Sequence, residues 1–332
     1  MSLLITGGIG FVLSNLARLW LETDARTSVV LLDSAEWDSA AESFFAPVRD
    51  RLTFVRGDVR DPFVWQWLAA EHRITHVVHG AAVTPSPELE RECPSRILEV
   101  NIDGTIRALE AVRMLPGLQR FVFVSSGAVY GDATESVARD PVVEDGSTRP
   151  VDLYGVSKQA CEGMARRYQQ LFGWDIISVR LSSVFGPMER PNASRFRLSA
   201  PYQLGQLILR RQPIRTNSLE AGGDWIHAGD VARALVGLLR AGRLRYQVYN
   251  VASGQFTTIR ELIEGLRLDV PDLDVAVVSE TEANLYCDPS HRGGRWGAYS
   301  ISRVAEELGW KPTPIQCALR AYLVWLRENP VP

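Results

Sequence analysis

The start of the chain limits the fold more than any other stretch, because an apolar segment there runs through glycines directly into a helix. Residues 2–6 (SLLIT) have the composition of a buried strand. Gly7, Gly8 and Gly10 follow at once, and residues 11–21 then show the apolar spacing of an amphipathic helix. A strand, a tight glycine turn and a helix in this order predict the opening of a parallel α/β sheet.

Short apolar runs and helix-length amphipathic segments continue to alternate as far as Gly186. Predicted strands lie at residues 28–33, 52–55, 76–79, 120–125 and 175–181, and the longer predicted helices at residues 94–115 and 154–172. Strands that are apolar on both faces and separated by helices indicate a sheet covered on both sides. The sequence therefore predicts an α/β fold with a doubly wound parallel sheet.

The character of the sequence changes after Gly186. Residues 187–223 are rich in Arg, Pro, Gln and Ser, with one clear helical segment, whereas a helix and a strand of the earlier kind return before residue 254. We expect the first part of the chain to form a larger α/β domain and the variable part to cover the ligand edge of its sheet. The predicted domains are residues 1–186, with 224–254 returning to them, and a smaller C-terminal lobe made of residues 187–223 and 255–332.

Composition excludes some partners and points to no metal. The 332 residues carry a net charge of −3, which gives no reason to expect nucleic acid or an anionic membrane as a partner. The four cysteines are far apart, without a C-x-x-C pair, and no apolar stretch reaches the roughly 18 residues that span a bilayer. We expect a cytoplasmic protein. His72, His76 and His79 straddle a helix end and a strand and lack a fourth ligand, so no metal site is predicted.

The glycine loop is predicted to bind a dinucleotide. Free backbone N–H groups and the helix dipole favour a pyrophosphate at a loop between a strand and a helix. Gly7 permits the tight turn, and Gly10 lets phosphates approach the backbone. Asp33 ends the second strand, 23 residues beyond Gly10, where a carboxylate accepts hydrogen bonds from the adenosine ribose and repels a 2′-phosphate. This pairing favours NAD over NADP.

One position of the loop departs from the usual pattern. A third glycine normally follows Gly10 by three residues and lets the helix pack closely on the strand, but Leu13 stands there. Leu13 would push the helix from the sheet unless small neighbours compensate. We expect Leu13→Gly to keep the fold and not to weaken dinucleotide binding.

The candidate catalytic residues lie on a predicted helix and at the end of the strand before it. Tyr154 and Lys158 are four residues apart and therefore share a helix face. They follow residues 124–131 (VSSGAVYG), whose serines fall at the carboxyl edge of the sheet, where ligands bind. A lysine cation favours the phenolate, which can accept a hydroxyl proton, while Ser126 holds the substrate oxygen.

Taken in order, these motifs resemble the extended short-chain dehydrogenases/reductases, the NAD-dependent epimerase/dehydratase group that includes UDP-glucose 4-epimerase. The resemblance runs nearly the whole length through TGGIG, VVLLD, GDVRD, HGAA, SSGAVYG, YGVSK, RLSSVFGP, DWIHAGD and LGWKP. It implies a Rossmann-type fold, NAD as cofactor and catalysis by Ser126, Tyr154 and Lys158. The residues that it places at NAD are Gly7, Ile9, Gly10, Asp33, Asp58, Val59, Ala81, Ala82, Asn101, Tyr154 and Lys158.

Departures from the family pattern narrow the expected activity. Family dehydratases have Thr-Asp-Glu where this chain has Ser126, Gly127 and Ala128, and neither glycine nor alanine can protonate a leaving hydroxyl or remove an α-proton. Nucleotide-sugar enzymes often have Asn at the position of Ser183 and Arg at that of Gly223, both of which contact the substrate diphosphate. The predicted substrate contacts are Ser126, Ser183, Arg190 and Arg292.

The leading hypothesis is an NAD-dependent sugar oxidoreductase, specifically a nucleotide-sugar epimerase that works through a transient keto intermediate. The missing diphosphate contacts motivate an alternative, an NAD-dependent dehydrogenase or reductase of a non-nucleotide sugar, sugar acid or other hydroxy compound. A non-catalytic NAD-binding regulatory protein is a third possibility. In the family, the helices corresponding to residues 94–115 and 154–172 pair across a homodimer, which we expect here too.

Overall fold

The structure is a computed structural model of the whole chain. It describes residues 1–84, 86–131, 141–191, 198–286 and 297–329. Arg292, one of the predicted substrate contacts, lies outside the described residues.

Within these residues the strands fall into three sheets. Seven described strands form one parallel sheet in the order β10-β6-β5-β4-β1-β2-β3, three form the sheet β11-β9-β7, and β12 pairs with β8. Their bounds are β1 Ser2–Thr6, β2 Ser28–Asp33, β3 Leu52–Arg56, β4 His76–His79, β5 Arg120–Ser126, β6 Ile176–Leu181, β7 Ser183–Phe185, β8 Ile214–Thr216, β9 Gly222–His227, β10 Val248–Val251, β11 Phe256–Thr258 and β12 Val275–Val277.

The helices alternate with these strands. Among them, no helix of the described chain is long and apolar enough to cross a membrane. Their bounds are α1 Phe11–Thr23, α2 Ser39–Phe45, α3 Pro62–Glu71, α4 Pro87–Glu92, α5 Pro94–Leu98, α6 Gly104–Ala111, α7 Leu153–Phe172, α8 Ala200–Leu209, α9 Ala228–Arg240, α10 Ile259–Arg267, α11 Ser302–Leu308 and α12 Ile315–Glu328.

The parallel sheet is buried on both faces, as the continuous apolar strands predict. Successive residues of β1 point to opposite sides, so Leu3 and Ile5 pack in one core cluster with α1 and α9, and Leu4 packs in another with α3, α6 and α7. These observations confirm the predicted α/β, Rossmann-type fold.

The sheet order also predicts where a ligand would bind. From β1 the chain proceeds to β2 and β3 on one side, and it then crosses to β4 on the other side of β1. The loops after β1 and β4 therefore diverge at the carboxyl edge of the sheet and leave a crevice between them.

The helical segment predicted over residues 94–115 is interrupted in the structure. α5 passes into a π-helical turn, Glu99–Asp103, before α6 begins, and a 3₁₀ turn, Val112–Met114, ends the segment. Apolar spacing does not reveal a single turn of wider helix, because the sequence on both sides keeps its helical period. The π turn contains Asn101, which is 2% exposed.

A separate apolar core holds the C-terminal lobe together. Leu204 of α8, Leu262 of α10 and Tyr322 of α12 belong to one buried cluster. The elements within residues 224–254 separate in space: β9 pairs with β7 and β11, whereas α9 packs on α1 and β10 forms an edge of the parallel sheet. The two-domain division with the predicted boundaries stays a prediction.

Candidate active site

A cavity of about 730 Å³ opens at the carboxyl edge of the parallel sheet, where the strand order predicts a crevice. It begins at the glycine loop, passes the ends of β5 and α7, and reaches the C-terminal lobe. Polar and apolar groups from all three regions line it, including Gly10, Leu13, Ser126, Tyr154, Lys158, Ser183, Trp225, Ile259 and Tyr286. Its dimensions are those of a site for small molecules or cofactors.

The glycine loop has the backbone that a pyrophosphate site needs. Gly7 has a positive φ of 70°, and a Cβ added there would lie 3.0 Å from the backbone of Ala81. Gly10 caps α1 without a side chain, and the first turn of α1 carries no acidic residue. The helix N-terminus is therefore open to an anion, which its dipole favours. These residues fit the pyrophosphate of a dinucleotide.

Gly80 is the small neighbour that Leu13 requires. Leu13 is 4% exposed and belongs to the main core cluster. A Cβ added to Gly80 would overlap Leu13 Cδ1 and would lie 3.4 Å from Leu13 Cγ and 3.5 Å from Val124 Cγ2. The glycine missing from the loop is thus matched by a glycine directly after β4, and α1 packs on the sheet with a leucine between them.

Two backbone N–H groups fix the carboxylate of Asp33 at the end of β2. Its Oδ2 accepts a hydrogen bond from the Ile9 N–H at 3.2 Å, and its Oδ1 accepts one from the Ala35 N–H at 3.0 Å. Burial raises the pKa of Asp33, and the hydrogen bonds oppose that rise. The bond to Ile9 joins the carboxylate to the glycine loop, as a ribose site adjoining a pyrophosphate site requires.

The other predicted cofactor residues occupy more varied positions. Ala82 lines the cavity, and Ala81 donates its N–H to Thr6 Oγ1 at 3.2 Å. Asn101 exchanges two hydrogen bonds with the backbone of Val83 and so fixes the loop after β4.

Asp58 and Val59 are engaged within the protein. Asp58 is bound by Arg60 at 2.7 Å, and this hydrogen bond lowers the pKa of its carboxyl group. Val59 is buried against Gly104, where an added Cβ would lie 2.8 Å from Val59 Cγ2. Their predicted contact with the cofactor remains a prediction.

Ser126, Tyr154 and Lys158 all line the cavity. Ser126 ends β5, and its Oγ accepts the Ala128 N–H at 3.2 Å. Lys158 is 3% exposed and donates from Nζ to the carbonyl of Val124 at 2.7 Å. The ammonium lies 5.7 Å from the centre of the Tyr154 ring. Serine hydroxyl, phenol and ammonium therefore face one cavity beside the glycine loop, as proton transfer to and from a substrate hydroxyl requires.

Two carboxylates hold the beginning of α7, which carries the tyrosine and the lysine. Asp152 caps the helix by accepting the Gly155 N–H at 2.7 Å. Glu90 of α4 accepts the Leu153 N–H at 2.6 Å. Both bonds satisfy N–H groups that a helix start leaves unpaired, and they fix Tyr154 between them.

A buried ion pair beside the end of β5 was not predicted from the sequence. Glu162, one turn beyond Lys158, accepts hydrogen bonds from Arg180 at 2.9 and 2.7 Å and from Ser125 Oγ at 2.5 Å. Arg180 also donates to the Tyr130 hydroxyl at 2.9 Å. Glu162 and Arg180 are 4% and 5% exposed. The pair joins α7, β5 and β6 directly behind the cavity.

The predicted substrate residues do not all meet in the cavity. Ser183 lines it together with Ser126. Arg190 lies instead against Asp38, with 2.8 Å between Nη2 and Oδ2. Sequence reasoning missed Trp225, Ile259 and Tyr286 as lining residues. Trp225 stands within the quoted DWIHAGD motif, so its place beside Gly223 was the available signal.

The space beside Gly127 is filled by Tyr299. A Cβ added to Gly127 would overlap the Tyr299 hydroxyl and would lie 2.7 Å from Cζ of its ring. The Tyr299 side chain is 2% exposed, and its backbone N–H donates to Asp224 at 3.1 Å. The structure thus leaves no room for an acidic side chain at position 127 unless Tyr299 moves.

His79 and His76, two of the histidines considered and rejected as metal ligands in the sequence, are buried in the structure. His79 lies between the hydroxyls of Thr6, at 2.8 Å, and Thr105, at 3.1 Å, and burial lowers its pKa to about 3. Burial likewise lowers the pKa of His76 to about 4. Within the residues that the structure describes, no group of three or more His, Cys, Asp or Glu side chains is placed to hold a metal ion.

Comparison with known proteins agrees with this fold. Residues 3–252 match the family described as the NAD dependent epimerase/dehydratase family, and the chain belongs to it. Membership confirms the predicted family and NAD as the cofactor.

Three relatives illustrate the range of the family. The chain is 32% identical over 253 residues to GDP-6-deoxy-D-mannose reductase of Pseudomonas aeruginosa, which covers 74% of this chain and 78% of the relative. It is 29% identical over 338 residues to dTDP-glucose 4,6-dehydratase of Mycolicibacterium smegmatis, covering 99% and 94%. It resembles the structure of UDP-glucose-4-epimerase from Stenotrophomonas maltophila with bound NAD and formylated UDP-arabinopyranose, with a TM-score of 0.81, 26% identity and coverage of 99% and 98%. These are three different activities, so the choice among them rests on the site.

Proposed function

We propose that the protein is a nucleotide-sugar epimerase that oxidises a sugar hydroxyl to a transient ketone and reduces it again on the other face. The observation that carries this proposal is the combination of a complete Ser126–Tyr154–Lys158 group lining one cavity with a neighbouring Gly127 position that Tyr299 closes. The first supplies carbonyl–carbinol chemistry, and the second removes the acid that dehydration would need. The small-molecule substrate is a nucleotide sugar of the kind that the related enzymes use.

The residues would act as follows. Tyr154, as phenolate, accepts the proton of the substrate hydroxyl, and Ser126 Oγ hydrogen-bonds the same oxygen. The Lys158 ammonium stabilises the phenolate and holds its place through the carbonyl of Val124. The chemistry that NAD would supply when bound here is reversible hydride transfer at the carbinol carbon. Tyr154 then gives its proton back, so that the reaction is redox-neutral.

Dehydration is disfavoured by the chain's own residues. A dehydratase needs an acid to protonate the leaving hydroxyl and a base to remove the α-proton. Gly127 and Ala128 carry neither, and Tyr299 occupies the space that a carboxylate at 127 would take. The same absence weakens the case for decarboxylation chemistry.

A net dehydrogenase or reductase of a sugar without a nucleotide is the second candidate. Gly223 favours it, because the Trp225 ring lies over this position, with 3.5 Å between Cε2 and a Cβ added to Gly223. A side chain there would lie in contact with the indole, whose Nε1 donates to the carbonyl of Thr257 at 3.1 Å. The cavity wall is therefore aromatic where a diphosphate contact is usual.

A spectroscopic assay separates the candidates. An epimerase interconverts two sugars without net absorbance change at 340 nm, whereas a dehydrogenase produces NADH in step with product. Tyr154→Phe should abolish either activity and leave NAD binding intact, while Tyr168→Phe, further along α7, should retain activity. Full turnover by Tyr154→Phe would contradict the mechanism, and a cellular role that survives this change would point to a regulatory NAD-binding protein.

We also propose a cytoplasmic homodimer assembled through α7 and the helical segment before it. Val156, Leu171 and Phe172 of α7 are 41%, 54% and 43% exposed in a single copy, an apolar surface that a second copy would cover. Sedimentation of Val156→Arg beside the parent chain tests the idea. A parent chain that sediments as a monomer at micromolar concentration would overturn it.

A further inference from the structure

The segment that leaves the parallel sheet for the C-terminal lobe is anchored beside the NAD site. The Asn15 side chain of α1 donates to the carbonyl of Pro187 at 2.9 Å. Met188 has a positive φ of 70°, unusual for a residue other than glycine, and its side chain is 3% exposed. On the other side, the Glu189 carboxylate accepts the backbone N–H and the hydroxyl of Ser199, each at 2.7 Å. The backbone that carries the Arg190 side chain is therefore anchored through Pro187 and through Glu189.

The Arg190 side chain crosses from this segment to the loop that follows β2. Its Nη2 lies 2.8 Å from Asp38 Oδ2, and its Nη1 donates to the carbonyl of Met188 at 3.4 Å. The Arg190 side chain is only 17% exposed, and the Asp38 side chain is 46% exposed. Asp38 also caps α2 by accepting the Ala41 N–H at 2.8 Å. The ion pair thus joins the segment after the parallel sheet to the start of α2.

The ion pair is next to the carboxylate predicted to hold the adenosine ribose. Asp33 ends β2 and Asp38 caps α2, so the two carboxylates lie at opposite ends of one short connection, and Asp33 is joined to the glycine loop through Ile9. The charge of Arg190 reaches Asp33 and counteracts part of the rise in pKa that burial imposes on that carboxyl group. A dinucleotide held by Gly10 and Asp33 would therefore be bordered by Arg190.

We propose that the Arg190–Asp38 ion pair is a clasp that retains NAD, so that Arg190 serves the cofactor and not the sugar substrate. The pair links the base of the C-terminal lobe to the ribose-binding loop, and the cofactor's adenosine half leaves only when this link opens. An enzyme that returns its hydride to the same substrate gains from a cofactor that stays bound. The clasp rests on the NAD site alone, and its test needs no substrate.

The test is the dissociation rate of NAD from the full-length protein, measured by chasing bound radiolabelled NAD with unlabelled NAD. Arg190→Gln and Asp38→Asn should each accelerate release about five- to tenfold. Asparagine is a good N-cap, so Asp38→Asn removes the charge and keeps the start of α2. Because both changes open the same link, the double variant should release NAD no faster than about twice the rate of either single variant.

Controls distinguish a clasp from a general change of charge. Arg26→Gln removes an exposed ion pair with Asp24 at the far end of α1, and it should leave the release rate unchanged. Raising the salt concentration should accelerate release from the parent chain and have little effect on Arg190→Gln. The clasp is refuted if either single variant releases NAD within twofold of the parent, or if the two effects multiply in the double variant. Neither result would depend on which sugar the enzyme converts.

Discussion

Replacing Gly80 by alanine tests whether Leu13 and Gly80 substitute for the usual glycine of the cofactor loop. The new Cβ would overlap Leu13 Cδ1 and would also come within 3.4 Å of Leu13 Cγ. Leu13 is buried, so it can yield only by shifting in the core or by turning into the cavity that it lines. Overpacking of this kind costs about 1–3 kcal/mol of the free energy of unfolding.

The same substitution should lose its effect once the leucine is shortened. Leu13→Ala alone removes a buried side chain and should lower the free energy of unfolding by about 2–5 kcal/mol. In that background, Gly80→Ala meets no leucine methyl and restricts the unfolded chain, so it should be neutral or stabilising by up to about 1 kcal/mol. The coupling energy between the two positions should therefore be about 1–4 kcal/mol and favour the double variant.

Urea unfolding of the four proteins of this cycle measures the coupling. Gly117→Ala is the matched control, since a Cβ there meets only the carbonyl of Ile74 at 4.0 Å, and its effect should stay within about 0.5 kcal/mol. Effects of Leu13→Ala and Gly80→Ala that add to within about 0.5 kcal/mol would refute the packing argument. Leu13→Gly should keep the fold and NAD affinity, but the lost core side chain and a glycine in α1 should lower stability further than Leu13→Ala by about 1 kcal/mol.

Three further predictions concern buried charges and the ribose site. Glu162→Gln should lower the free energy of unfolding in urea by about 3–5 kcal/mol, because it leaves Arg180 buried without its counter-charge. Glu22→Gln, in the exposed pair with Arg18, should change the free energy of unfolding by less than about 1 kcal/mol. Equal effects of the two substitutions would contradict the role of burial. Because the pKa of His79 is low in the folded protein, the unfolded chain binds this proton first, and the free energy of unfolding falls as pH drops from about 6.5 towards 3. His79→Gln should reduce the slope of the free energy of unfolding against pH by up to about 1.4 kcal/mol per pH unit. An unchanged slope would count against a neutral His79. Asp33→Asn should raise the Kd for NAD about ten- to hundredfold and narrow the preference over NADP in equilibrium binding, and an unaltered Kd would remove Asp33 from the ribose site.

The sheet, and the meeting of Ser126, Tyr154 and Lys158 in one cavity, could be predicted because their signals are local in sequence. Apolar strands, a glycine loop at a helix start and a tyrosine four residues before a lysine each describe a few neighbouring positions. The parallel sheet then brings the ends of its strands to one edge, so Ser126 and Tyr154 meet in the cavity without any knowledge of distant contacts. The π turn at Asn101 escaped prediction because it adds one wider turn to a segment whose apolar period is otherwise helical.

Residues whose roles depend on a partner far along the chain could not be assigned in this way. Arg190 has the charge of a phosphate ligand, but its partner is set by the strained turn at Met188, which carries the guanidinium towards Asp38. The family pattern predicts that Gly127 lacks the acid of a dehydratase, but the filling of the space beside it depends on Tyr299, which lies far along the chain. In both cases the residue type limits which contacts are possible, and the packing of a segment far along the chain decides which contact forms. Leu13 follows the same rule: it departs from the loop pattern in isolation, and Gly80 makes that departure compatible with a closely packed cofactor loop.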